Sequence, residues 1–168
     1  MAIVILSGPI GAGKTTIAGE LIAISTGPLC YIEGDRFWSM FMKPDATHVK
    51  ERFRLIMRSM TAAAVPLARG GYEVLLDFSI PLEFLDTARK IVKEIPLDFV
   101  NVRPSVEVCE KRAAARAEGK ISDYRAYRDF YRMFEGSPQH EICDDESEAR
   151  SIARRIRDGL DQGRFRLL

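Results

Sequence analysis

Apolar residues follow two rhythms along this chain. Short runs of strand length occupy Ile3 to Ser7, Leu29 to Glu33, Tyr72 to Phe78, Leu97 to Arg103 and His140 to Cys143, so five strands are predicted. Between them the spacing changes to three and four. Lys14 to Ile24 carries Ile17, Leu21 and Ile24; Thr47 to Arg69 sets Phe53, Met57, Met60, Ala64 and Leu67 on one stripe; Leu82 to Glu94 repeats Leu85, Ala88 and Ile91. A further helix is predicted from Ser105, after Pro104, to Glu118, and a last one from about Glu146 to Leu160 with Ala149, Ile152, Ala153, Ile156 and Leu160 on one face. Asp145 and Glu148 are spaced like a capping box at its start. Strands alternating with helices predict an α/β fold, a parallel sheet covered by helices on both faces. One stretch breaks the rhythm. Glu118 to Gln139 is polar and aromatic, with Tyr124, Tyr127, Phe130, Tyr131 and Phe134, and is predicted to be a mobile or substrate-covering segment.

With 168 residues, 46% of them hydrophobic, the chain suits a single domain spanning 1–168 that buries a substantial core. Its 25 basic and 24 acidic side chains nearly cancel, so no global field argues for nucleic acid or a membrane as partner. Cys30, Cys109 and Cys143 are an odd number without a C-x-x-C pair, which fits reduced, mostly buried thiols and not a disulfide framework or a zinc site. The apolar N-terminus lacks a basic leader, and no apolar run approaches the roughly 20 residues of a membrane helix. A cytoplasmic protein is expected.

The chemistry begins directly after the first strand. Gly8-Pro9-Ile10-Gly11-Ala12-Gly13-Lys14-Thr15 fits the phosphate-binding pattern G-x-x-x-x-G-K-[ST] at every fixed position, between a predicted strand and a predicted helix. Glycines let backbone N–H groups turn inward around phosphates, Lys14 supplies charge, and the Thr15 hydroxyl can ligate Mg²⁺. Gly8 through Thr16 are therefore the expected cofactor-binding residues, for ATP or GTP. The second strand runs into Glu33-Gly34-Asp35, two carboxylates placed where an open α/β sheet presents its ligands. One could orient or deprotonate an attacking hydroxyl and the other hold a Mg²⁺-bound water; a plain helix-capping Asp is the alternative. Val74-Leu75-Leu76-Asp77 is a hydrophobic strand closing on an acid, the form of a Walker B element whose Asp holds Mg²⁺. Ser79 is expected to cap the helix that follows. Arg112 and Arg116, four apart on a predicted helix, share a face and can reach one anion. Arg54 and Arg58 also share a face and could bind an acidic group or be simply solvated. Phe37, Trp38 and Phe41 could wall a substrate pocket or belong to the core. His48 and His140 lack metal-ligand spacing and are expected to be structural.

Taken together, these motifs resemble the small P-loop kinases of the nucleoside monophosphate kinase superfamily, which includes adenylate, shikimate and gluconate kinases and chloramphenicol phosphotransferase. The resemblance covers nearly the whole chain. It implies the three-layer P-loop NTPase fold with a five-stranded parallel sheet of order 2-3-1-4-5, a lid near 112–138, and ATP and Mg²⁺ as cofactors. It implies further that Asp35 lies near the acceptor hydroxyl, Glu33 near the metal, Arg112 near the nucleotide base and Arg116 near the phosphates. Asp77-Phe78-Ser79-Ile80-Pro81 stands where shikimate kinases have a Gly-rich loop and gluconate kinases a Cys-Ser-Ala-Leu-Lys run, so neither acceptor is implied. The expected activity is ATP-dependent transfer of the γ-phosphate to a hydroxyl of a small molecule, with Lys14, Asp35 and Arg116 catalytic and Thr15, Glu33 and Asp77 at the metal. A nucleoside or nucleic-acid 5′-end kinase is the first alternative. The second is a nucleotide-binding switch that would use the Tyr-rich stretch to contact a partner protein.

Overall fold

A computed structural model describes residues 2–43, 48–117 and 119–167. Thr47, the expected start of the long helix, and Glu118, the expected end of another and the start of the aromatic segment, lie outside the described residues, as do Met1 and Leu168. Five strands, β1 (Ile3–Ser7), β2 (Leu29–Glu33), β3 (Glu73–Asp77), β4 (Leu97–Val102) and β5 (Glu141–Ile142), form one parallel sheet in the order β2-β3-β1-β4-β5. That is the expected fold class and strand order.

The period-2 alternation of β1 decides which helices cover which face. Ile3 and Ile5 join Val74, Leu76, Leu97 and Phe99 in a core closed by α3 (Val49–Arg69) and α4 (Leu85–Val92). Val4 and Leu6 point the other way, into a core with Leu75, Val100 and Val102 closed by α1 (Lys14–Ile24), α5 (Val106–Ala114) and α7 (Ala149–Asp161). Both faces of β1 are thus sealed. Two shorter helices, α2 (Asp35–Trp38) and α6 (Arg128–Arg132), lie above the carboxyl ends of the strands.

Several boundaries differ from expectation for local reasons. The segment after β3 begins with a 3-10 turn at Leu82–Phe84, whose N-cap position is Pro81, so Ser79 does not cap it. Ser7 holds that segment instead, donating to the Ile80 carbonyl and accepting from the Ile80 N–H at 2.7 and 2.8 Å. The expected capping box at Asp145 and Glu148 is not formed: α7 starts three residues late, with Glu148 as its N-cap residue and no side-chain cap. Asp145 accepts from the Ser105 N–H, and Asp144 from those of Glu146 and Ser147, so these acids order loops. The C-terminal residues add a piece that the spacing did not announce. Arg166 bridges antiparallel to Asp98, Phe99 N–H donates to the Phe165 carbonyl, and the Phe165 side chain is buried. The cysteines are free, but only Cys109 is buried; Cys30 is half-buried and Cys143 exposed.

Candidate active site

The phosphate-loop residues connect β1 to α1 in a conformation that side chains would obstruct. Gly8 and Gly11 have φ of 145° and 85°, and a Cβ on either would fall 2.0 Å from the Val102 carbonyl oxygen or 2.2 Å from that of Cys109. The loop therefore lies directly against β4 and α5. Lys14, the first residue of α1, is buried at 9% exposure, with Nζ donating to the Pro9 carbonyl at 3.0 Å. Burial lowers its pKa to about 8, Arg116 lowers it too, and Asp77 and Asp35 act in the opposite direction. A buried ammonium with one carbonyl partner at a helix N-terminus is a site prepared for an anion.

Asp77, at the end of β3, is 3% exposed. Its Oδ2 accepts from Thr15 Oγ1 and from the Tyr31 hydroxyl, both at 2.9 Å. Burial raises the Asp77 pKa, against the opposing pull of Lys14 and of both hydrogen bonds. Tyr31, whose own pKa is raised chiefly by burial and then by Asp77, is a site residue that the sequence reading missed. Its position in β2, two residues before Glu33, on a strand paired residue for residue with β3, is the signal that could have found it. Glu33 sits at the end of β2, hydrogen-bonded to Arg36 at 3.0 Å. Asp35 is not the cap of α2, because Gly34 holds the N-cap position; it is exposed at the mouth of two cavities.

Those cavities define the site. One, about 460 Å³, is lined by the phosphate-loop residue Gly13, by Thr16 and by Arg112 and Arg116. The other, about 520 Å³, is walled by Ile10, Trp38, Phe53, Phe78, Tyr127 and Phe130, with Glu33 and Asp77 at its polar end. Lys14, Thr15, Asp35 and Arg116 line both. Arg112 and Arg116 do converge there, though not as expected: α5 ends at Ala114, so Arg116 follows the helix and does not share a face with Arg112. Arg112 Nη1 donates to the Ala12 carbonyl at 3.3 Å, which ties it to the loop. Gly8 and Pro9 are buried beneath the loop and line neither cavity. Arg54 stays outside the aromatic cavity, paired with Glu51 at 3.7 Å, and Arg58 is exposed on α3. His140 is buried against Ser137, whose hydroxyl lies 2.7 Å from Nδ1, and His48 stands at the N-cap position of α3.

The aromatic segment is anchored. The Tyr124 hydroxyl donates to the Ile10 carbonyl of the phosphate loop at 2.6 Å, the Tyr131 hydroxyl donates to the Pro104 carbonyl at 2.8 Å, and Tyr124, Tyr131 and Phe134 are buried. Those three rings are not available as the exposed contact surface that the switch alternative requires.

The donor set suits a hard cation. Thr15 and Asp77 place a hydroxyl and a carboxylate oxygen together and Glu33 lines the same cavity, an oxygen-only set of the kind that suits Mg²⁺ completed by water and phosphate. Among the described residues no group of three or more His, Cys, Asp or Glu could form a metal cage from protein alone. No helix among them is long and apolar enough to cross a membrane.

Solved structures share this architecture. An unliganded sugar kinase from Janibacter sp. HTCC2649 aligns at TM-score 0.75 and 20% identity over 96% of this chain and 95% of its own. The Mycobacterium tuberculosis APS kinase CysC, in complex with AMPPNP and APS, aligns at 0.68 and 21% over 95% and 97%. The Deinococcus radiodurans tunicamycin resistance protein aligns at 0.70 and 16% over 95% of each. At these identities the likeness is one of fold. A search of curated proteins finds no match. Residues 1–146 match the model of the chloramphenicol phosphotransferase-like protein family, and the chain belongs to that family, within the P-loop small-molecule kinases.

Proposed function

We propose that this protein is an ATP- and Mg²⁺-dependent kinase that transfers the γ-phosphate to a hydroxyl of a small molecule. One observation carries the reading: Lys14, Thr15, Asp35 and Arg116 line both the cavity at the phosphate loop and the cavity walled by aromatic residues. A phosphoryl group passing between a nucleotide in the first and an acceptor in the second must cross that shared boundary. The family membership and a structural neighbour holding AMPPNP support nucleotide use.

The acceptor oxygen attacks the γ-phosphorus while the bond to the oxygen bridging β and γ breaks, its electron pair leaving with ADP. The acceptor proton passes to the Asp35 carboxylate. Lys14 and Arg116 hold the charge that spreads over the equatorial oxygens, and burial makes the Lys14 charge more effective there. Thr15, Asp77 and, through water, Glu33 would hold Mg²⁺, which when bound neutralises phosphate charge. Arg112 beside Ile17 and Ile152, in a small cavity of about 250 Å³ next to the loop, would receive the base. Of the expected lid from Arg112 to Pro138, the stretch that follows α5 and precedes the anchored Tyr124 would be the part that closes.

A coupled ADP-release assay over polyols, sugars, nucleosides and phenicol or aminoglycoside antibiotics tests the proposal. With the acceptor found, Asp35→Asn is expected to lower turnover by roughly 10²-fold with ATP affinity little changed. Full acceptor-dependent turnover in that variant would remove Asp35 from the mechanism and leave Asp77 as the base.

A further inference from the structure

The aromatic cavity has a neighbour beyond Phe53 and Phe130. Val49, Phe53 and Phe130 line it on one side and line a second cavity of about 360 Å³ on the other. The outer chamber is floored by the buried Pro81 and walled by Phe84 and Met133. Its charged residues, Lys50, Arg54 and Glu83, are all exposed and so form the rim. Arg54 is further held there by Glu51 and by the Phe84 ring, 6.0 Å from its guanidinium carbon.

From the phosphate loop outward across the two cavities the chemistry changes in one direction. Lys14, Glu33, Asp35, Asp77 and Arg116 are gathered at the phosphate-loop end, the shared wall is wholly apolar, and the outer chamber offers apolar surface until its rim. A compact polyol would leave its outer hydroxyls facing Phe53, Phe130 and Val49 without protein hydrogen-bond partners, which disfavours its binding. A molecule polar at one end and apolar along the rest meets complementary surface throughout.

Resting on the kinase reading of the same site, we infer that the acceptor is an elongated amphipathic alcohol, whose hydroxyl end lies at Asp35 and whose apolar arm passes Phe53 and Phe130 into the outer chamber. Binding of such an arm can be measured without turnover. Trp38 is the chain's single tryptophan and lines the inner cavity, so its fluorescence reports occupancy. Titration with alkane-1,2-diols from butane-1,2-diol to decane-1,2-diol is expected to show affinity rising by up to about fourfold per added methylene. Met133→Glu, a change at a position 38% exposed, is expected to remove the gain of the longer diols and leave butane-1,2-diol unaffected. Glu83→Leu is expected to strengthen only the longer ones. Equal affinity for short and long diols in the unaltered protein, no binding of decane-1,2-diol, or equal effects of Met133→Glu on both ends of the series would overturn the inference. The titration contains no nucleotide, so its failure leaves ATP-dependent transfer standing, and a failed ADP assay leaves the chamber assignment standing.

Discussion

Lys14 is a destabilising residue kept for its charge. Its folded pKa, lowered to about 8 by burial, lies below the ordinary 10.5 of an unfolded lysine, so between those values the unfolded chain binds more protons than the folded one. Stability contributed by this group therefore rises with pH across that window, and below it the ligand-free fold carries a penalty of the order of 3 kcal/mol. Lys14→Met is expected to raise the urea midpoint of the ligand-free protein at neutral pH, and, on the proposed function, to abolish the stabilisation by ATP expected of the parent. A nucleotide that restores the ammonium should take up protons when it binds near pH 8, which calorimetry in buffers of different ionisation enthalpy detects. Tyr31 acts on the site through Asp77. Tyr31→Phe removes one of the two hydrogen bonds that lower the Asp77 pKa, so that pKa should climb further. On the proposed kinase reading the acid limb of the rate profile is then expected to move to higher pH and the need for Mg²⁺ to increase, while folding loses about 1 kcal/mol. A purely structural tyrosine would change stability alone. The motif residues from Gly8 to Thr15, Asp35 and Asp77 were legible because backbone geometry and charge demand those residue types at set spacings. Tyr31 was not, since a tyrosine in a strand is ordinary and only pairing with β3 brings it to Asp77.

The strands and the long amphipathic helices were legible because a residue buried on one face must repeat at the period of its element. Ends were less so, because they depend on who holds the orphan backbone groups. At α5 the expected helix ran on through Arg116, yet it stops at Ala114, where the Ala113 carbonyl accepts from Ile121 N–H and the chain turns back over the loop. This turn, which spacing cannot foretell, brings Arg116 to the cavity. The aromatic segment beyond the turn is unevenly buried. Tyr124, Tyr131 and Phe134 are buried and hydrogen-bonded, whereas Ser122 and Asp123, just before them, are exposed. Ligand-dependent protection in hydrogen exchange is accordingly expected around 115–123, with 124–134 already protected in the free protein. Equal change over both stretches would indicate that the segment moves as one body.

At the scale of the molecule the alternation of strand and helix carried the architecture, while the C-terminal tail escaped notice because Phe165 to Leu167 is too short to show a period. Its role is substantial: Phe165 is fully buried in the core shared by α1 and α7, and Asp98, at 2% exposure, is matched by Arg166 at 2.8 Å. Phe165→Ala is expected to cost about 3–5 kcal/mol in chemical denaturation, and Arg166→Met a further loss from leaving Asp98 buried without its cation. The two faces of the sheet also draw on different spans of chain. The core under α3 and α4 is built from buried residues between Ile3 and Phe99, but the one under α1 is not closed until Phe165. Translation runs in one direction, so a growing chain emerging from the ribosome can finish the first face long before the second. Throughout that interval Val4, Leu6 and Leu75 await their full cover, and the face that carries the phosphate-loop helix α1 is the last to be sealed. Chains stalled before α7 should therefore show α3 resistant to protease while α1 is still cut, and the uncovered strands should be where a chaperone takes hold.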